Sequence, residues 1–245
     1  MLSKSQIKLI KALSVKKYRN KHRLFIVEGL KTINEFINSE YKLHQLYLVD
    51  EAGFHAIENK EIITKAEMKK ISSLKNPSSA LAIFEIIDEG VIDNKGLKLA
   101  LDDIRDPGNL GTIIRLCDWF GVSSVLCSKE TVDCYNPKVV QATMGSLSRI
   151  QVYYIDLEAY LNTTDKVVYG AYMDGENVYT SSIIQEGIIV LGNEANGISD
   201  AIEKYINHKI SIPRFGDIQE TESLNVATAT SILLSEFKRR TITEK

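Results

Sequence analysis

Three short stretches hold residues whose types and spacing could do chemistry. In DPGNLGTIIR, residues 106–115, Pro107 and Gly108 read as a turn and Asn109 as a helix cap. Arg115 follows one turn beyond Gly111 and Thr112, on the face away from Ile113, Ile114 and Cys117. A guanidinium there would point outward near a helix start, where it can hold an anion. In VLGNEANGIS, residues 190–199, an apolar strand runs into Gly192, Asn193 and Glu194. Gly192 would permit close approach of a ligand, and the Glu194 carboxylate could pair with Arg115. In SIPRFGDIQETESLNVATATSILLSEF, residues 211–237, Ser223 is a natural cap, while Asn225 just after it is a poor helix former. Each stretch also has a plain structural reading: a capped helix with a surface Arg, a polar turn, a second capped helix.

The elements that must position these residues follow from periodicity. Leu110, Ile113, Ile114 and Cys117 recur at helical spacing, and the apolar runs 97–104, 123–127, 150–155, 166–173, 187–192 and 208–213 read as strands. Helical stretches fall between several of them, the last over 223–240, which implies a largely parallel sheet covered by helices. Ligands of such sheets bind beyond the carboxyl ends of the strands, and all three stretches lie at such ends. Upstream, 24–29, 42–50 and 79–87 read as strands and 29–39 and 63–74 as helices, giving a small α/β domain over about residues 1–92. The run 88–96, with two glycines and three acids, reads as a linker to a second domain, 97–245.

Composition narrows the class. Of 245 residues, 44% are hydrophobic and 25% charged, a balance suited to a globular chain with a sizeable core. No apolar run approaches a membrane span and the first residues lack a signal-peptide pattern, so a cytoplasmic location is expected. Cys117, Cys127 and Cys134 form no C-x-x-C pair, and His22, His44, His55 and His208 are scattered, so neither a disulfide framework nor a metal site is expected. The glycines match neither a dinucleotide fingerprint nor a phosphate loop. The net charge of −2 hides an asymmetry: residues 1–23 carry eight Lys and Arg and no acid, leaving about −10 on the rest. This basic arm, with Lys11, Lys16, Lys17, Arg19, Lys21 and Arg23 as candidate contacts, suits a polyanion such as RNA or equally a solvated helix face.

Taken together, N-x-G-x-x-x-R (109–115), L-G-N-E-x-x-G (191–197) and I-P…E-S-L-N-V-A (212–227) closely resemble the motifs of the SpoU/TrmH family of RNA ribose 2′-O-methyltransferases, in the family's order. KALSVKKYRNKHRLFIVEGLKTI (11–33) resembles the start of the L30e-like RNA-binding domain of its longer members, so the likeness covers essentially the whole chain. The resemblance implies an α/β fold with a C-terminal trefoil-knotted, parallel-sheet methyltransferase domain, S-adenosylmethionine as cofactor, and a homodimer with the active site at the subunit interface. It implies catalytic roles for Asn109, Arg115, Glu194, Ser223 and Asn225. Cofactor contacts are implied at Gly192, Gly197, Ile212 and Leu224, with Leu191, Thr143 and Met144 as neighbouring candidates. Arg115 would clamp the phosphate beside the reacting ribose, Glu194 would orient Arg115 or Asn109, and Ser223 and Asn225 would position the sugar. The chain departs from the compact family pattern in a longer 216–222 stretch and in Arg214-Phe215 after the Pro. Ribosomal RNA is favoured over tRNA as substrate, and a non-catalytic RNA-binding factor of the same fold is the rival reading.

Overall fold

The computed structural model describes residues 1–242 apart from 52, 89, 94 and 217–222. Among them the chain forms two compact units, one of Met1–Asp88 with Asp133–Arg149, the other of Glu89–Val132 with Ile150–Lys245. The stretch 133–149 therefore groups with the N-terminal residues, which no local pattern signals.

In the first unit α1 (Lys4–Ala12) begins with a reciprocal capping box between Ser3 and Gln6. Helix α2 (Lys16–His22) and the strand β1 (Leu24–Glu28) follow, then α3 (Leu30–Ile37), β2 (Leu43–Leu48), β3 (Lys60–Ile62), α4 (Lys65–Ile71) and β4 (Ala80–Glu85). The sheet order is β1-β4-β2-β3, antiparallel except for the β2–β3 pair. The basic arm is not an appendage. Leu2, Ile10 and Leu13 are buried in one cluster with Ile63, Met68, Ile71, Leu81 and Ile83, so the apolar stripe of α1 is part of this core.

The second unit is a six-stranded, wholly parallel sheet. Its chain runs β5 (Leu97–Leu101), α5 (Pro107–Phe120), β6 (Ser124–Cys127), then, after the first unit's α6 (Pro137–Thr143) and a 3₁₀ turn (Ser146–Ser148), β7 (Gln151–Tyr154). It continues through α7 (Leu157–Thr163), β8 (Val168–Asn177), β9 (Gly187–Leu191), α8 (Asp200–Glu203), β10 (His208–Ser211) and α9 (Val226–Arg239). The order β10-β8-β9-β5-β6-β7 means that the chain builds outward from β5 in one direction and then returns to its other side. The switch point falls between β5 and β9, where an open parallel sheet leaves a crevice at its carboxyl edge. Both strands are buried throughout, as a sheet covered on two faces requires. Helices α5 and α9 pack together. Gly111 is buried on α5, and Ala227 and Thr230 are buried on α9, small groups of the kind that admit a close approach.

Candidate active site

The carboxyl end of β5 opens into Asp102-Asp103, and the chain turns into α5 at Asp106. The helix cap is Asp106, not Asn109: its side chain accepts from the Asn109 amide at 2.8 Å, and Pro107 takes the first helical position, where no N–H is needed. Moving the cap three residues upstream frees the Asn109 side chain, which then donates to Glu194 Oε1 at 2.8 Å. An Asp-Pro pair before an apolar periodicity was the available signal for this start.

Glu194 sits on a closed turn. Asn193 and Gly197 exchange both backbone hydrogen bonds at 2.9 Å, and Asn193 Oδ1 accepts from the amides of Ala195 and Asn196. The same side chain donates to the Asp103 carbonyl at 2.7 Å, tying this loop to the end of β5. Asp103 itself adopts φ +58°, a conformation that Asp tolerates better than most residues, with its amide bound to Ser128 Oγ. The Asp102 amide binds the Leu191 carbonyl, and its carboxylate accepts from Ser199 N at 2.8 Å. Asp102, Asp103 and Asp106 thus build the site without having been singled out by motif, and Asn193, a motif residue given no role from the sequence, holds the turn closed. Gly192 is needed for a reason other than ligand approach: a Cβ there would stand 2.1 Å from the Gly197 carbonyl carbon and 2.2 Å from the Ile198 nitrogen.

The third stretch completes the arrangement. Asn225, not Ser223, caps α9, its Oδ1 accepting from the amides of Ala227 and Thr228 at 2.9 and 3.2 Å. Its Nδ2 donates to Asn109 Oδ1 at 2.9 Å. The result is a one-way chain, from the amide groups of α9 through Asn225 and Asn109 to the Glu194 carboxylate. Its polarity is dictated at both ends, because helix N–H groups only donate and a carboxylate only accepts.

Arg115 stands outside that chain. It is exposed and makes no hydrogen bond or ion pair among the described residues, and Glu194 takes Asn109 rather than Arg115 as its partner. Six residues along a helix from Asn109, Arg115 is displaced by about 9 Å and about 120° round the axis. It shares its column with Thr112 and with Trp119, which is 82% exposed. Ser223 and Leu224 are exposed beside Asn225. The longer stretch singled out at 216–222 lies, beyond Gly216, outside the described residues.

The remaining candidates divide. Leu191 ends the buried β9, Gly197 has open space over its Cα, and Ile212 is half-buried just past β10. Leu224 at 47% and Phe215 at 83% exposure present large apolar side chains on the segment beyond β10. This combination of open backbone and uncovered apolar surface suits an adenosyl group. Thr143 and Met144 belong to the first unit. Thr143 is fully buried with its hydroxyl donated to the Val140 carbonyl, whereas Met144 is exposed at φ +52°. Among the candidate RNA contacts, Arg19 is a correction. It is 2% exposed, bonded to Asp133 through Nε and Nη2 at 3.0 and 2.5 Å and to the carbonyls of Leu13 and Ser14, so it supports α2 from within. Lys11, Lys16, Lys17, Lys21 and Arg23 are exposed, Arg23 paired with Asp88 at 2.5 Å.

An Asn–Asn–Glu hydrogen-bond chain at the switch point of a parallel sheet stands where α/β proteins of this kind bind their ligands. Comparison with known proteins makes the assignment specific: residues 96–235 match the SpoU rRNA methylase family and residues 4–82 the MRM3-like substrate-binding domain. The chain belongs to the SpoU family, RNA methyltransferases that take the methyl group from S-adenosylmethionine. It is 27% identical to the 23S rRNA (guanosine(2553)-2′-O)-methyltransferase RlmP of Bacillus subtilis, across 95% of this chain and 96% of that one. Among solved structures it resembles a TrmH-family RNA methyltransferase of Porphyromonas gingivalis, with a TM-score of 0.89 and 37% identity over 98% of this chain and 99% of the other. An AdoMet-bound rRNA methyltransferase of Sinorhizobium meliloti gives a TM-score of 0.88 at 28% identity, covering 99% and 97%.

Proposed function

We propose that this enzyme methylates a ribose 2′-hydroxyl of RNA, with ribosomal RNA as the substrate. The observation that carries the reading is the directed chain Asn225–Asn109–Glu194, which joins all three motif stretches at the carboxyl edge of the sheet. The near full-length likeness to a 23S rRNA 2′-O-methyltransferase supports the ribosomal substrate.

S-adenosylmethionine supplies an activated methyl group on a sulfonium. Gly192, Gly197, Leu191, Ile212 and Leu224 would hold the adenosyl portion, Gly192 by keeping the turn closed rather than by touching the ligand. With the cofactor bound, the methyl–oxygen bond would form as the methyl–sulfur bond breaks, and the hydroxyl proton would pass to water. Alignment of the attacking oxygen supplies much of the rate in such a displacement, and a linked chain of two amides and a carboxylate is suited to holding it. Asn225 and Ser223 position the ribose, Glu194 fixes Asn109, and Arg115 clamps the adjacent phosphate, stabilising the charge that develops on oxygen.

Arg115 lies off the amide chain, which favours a homodimer in which the arginine of one subunit serves the site of the other. Mixing Arg115→Ala and Asn225→Ala proteins should then restore part of the lost activity, whereas independent monomers would stay inactive. The trefoil knot and a cytoplasmic location complete the proposal. The function is tested by transfer of radiolabelled methyl from S-adenosylmethionine into purified ribosomal RNA and tRNA, with 2′-O-methylation scored as resistance to alkaline cleavage. Labelling of tRNA alone would overturn the substrate, and alkali-sensitive label would overturn the ribose.

A further inference from the structure

The outer face of α2 is strongly basic and also carries an uncovered aromatic ring. Tyr18 is 41% exposed, and among the described residues its side chain has no ring partner and no hydrogen bond. At about 100° per residue, Lys21 falls about 60° to one side of Tyr18 and His22 about 40° to the other, with Lys17 beyond Lys21. All three are exposed. Arg19, on the neighbouring strip of the helix, is held by Asp133 and by the carbonyls of Leu13 and Ser14, so α2 is fixed against rolling. The ring is therefore presented on a rigid support, with the cations of Lys21 and Lys17 along one side of it, in a segment 1–23 without a single acid.

We infer that Tyr18 is a stacking platform for one unpaired RNA base, with Lys17 and Lys21 holding the flanking phosphates. Stacking needs a base that is out of the duplex, so the partner is a single-stranded loop or bulge rather than a helix. The flat π-face takes any base, which makes the contact one of affinity and register rather than of sequence. This inference rests on the RNA reading above and names the surface of the first unit that serves it.

The two kinds of contact have different signatures. Phosphate contacts set the salt dependence of binding, whereas stacking contributes at every salt concentration. The test measures binding of the full chain to a fluorescein-labelled single-stranded oligouridine of about 12 nucleotides across a salt series. Tyr18→Ala and Tyr18→Leu should each weaken binding about tenfold with an unchanged slope, and Tyr18→Phe should bind like the parent. Lys17→Ala/Lys21→Ala should flatten the slope. If the parent binds and Tyr18→Ala binds within twofold of it, the stacking inference falls and the function stands. If Tyr18→Leu retains full affinity, the ring acts as an apolar contact of the kind a protein partner would use, and the inference falls equally. If the parent does not bind the oligouridine, the inference falls, while the function is decided separately by the methyl-transfer assay.

Discussion

Asn225 donates to Asn109 at 2.9 Å across 116 residues of chain, and that bond makes a helix cap and a wall of the candidate site the same residue. Its oxygen is committed to the first amides of α9, so its nitrogen must face Asn109, and Asn109 must in turn face Glu194 with its own nitrogen.

Asn225→Asp separates the two duties. Aspartate caps helices as well as asparagine does, so thermal stability should stay close to that of the parent. The carboxylate cannot donate to Asn109, and turning the Asn109 amide round would oppose its oxygen to Glu194, so one link is lost either way. Methyl transfer should fall at least about tenfold, a loss of roughly 1.4 kcal/mol in transition-state stabilisation. Melting curves beside turnover measurements check this, and full activity would mean that the amide chain is only structural.

Gly192→Ala forces a methyl group into a gap where a Cβ would be 2.1 Å from backbone. The turn that carries Glu194 must open, with an expected cost of about 1–3 kcal/mol and a loss of S-adenosylmethionine affinity. Gly197→Ala meets open space and pays only for its φ of +70°, about 1 kcal/mol. Calorimetric titration with the cofactor and urea unfolding of both variants should rank them in that order.

Arg19→Ala should destabilise the first unit by about 3–5 kcal/mol, because it strands Asp133 with its charge uncompensated. Replacing both residues by apolar side chains of similar volume should recover much of that loss. Denaturant unfolding of the single and double variants measures the coupling. An Arg19→Ala protein of parental stability would show the pair to be dispensable.

Glu236 gives the acid limb of stability a specific source. Hydrogen bonds from Arg239, and then from Arg240, hold its carboxyl down at about 2 against an ordinary 4.5. A depressed folded value stabilises the native state above the unfolded pKa, and that contribution disappears as pH falls through the folded one. The stability difference between the parent and Glu236→Gln should therefore be constant above about pH 4.5 and shrink toward pH 2. A difference independent of pH across that window would place the effect in packing. Arg240 also binds the carbonyls of Val178 and Ser181, so the variant should loosen the end of α9 from the segment after β8.

Much of this architecture was legible from residue order. Strand–helix alternation indicated the parallel sheet, and the stretches around Asn109, Glu194 and Asn225 were identifiable as strand ends with unusual polar content. Errors arose where several good cap residues stand close together, and where a side chain's partner is distant in sequence. Asn109 and Ser223 looked like caps because both are good cap residues, yet Asp106 and Asn225 do the capping. Arg19 reads like its exposed lysine neighbours in the sequence, yet it is buried against Asp133.

By itself, then, the sequence determined the local grammar of the protein: where strands end, which residues can cap, and which polar groups stand at the carboxyl edge. These follow from periodicity and side-chain chemistry, which act over a few residues. Tertiary structure decided which of those groups meet. The β5–β9 register aligns Leu101 with Leu191 and so brings the loops that follow them together, placing Glu194 beside Asn109. Packing of α9 on α5 brings Asn225 to the other side. A hydrogen bond needs its partners within about 3 Å, and over 85 or 116 residues only the folded chain can set that distance.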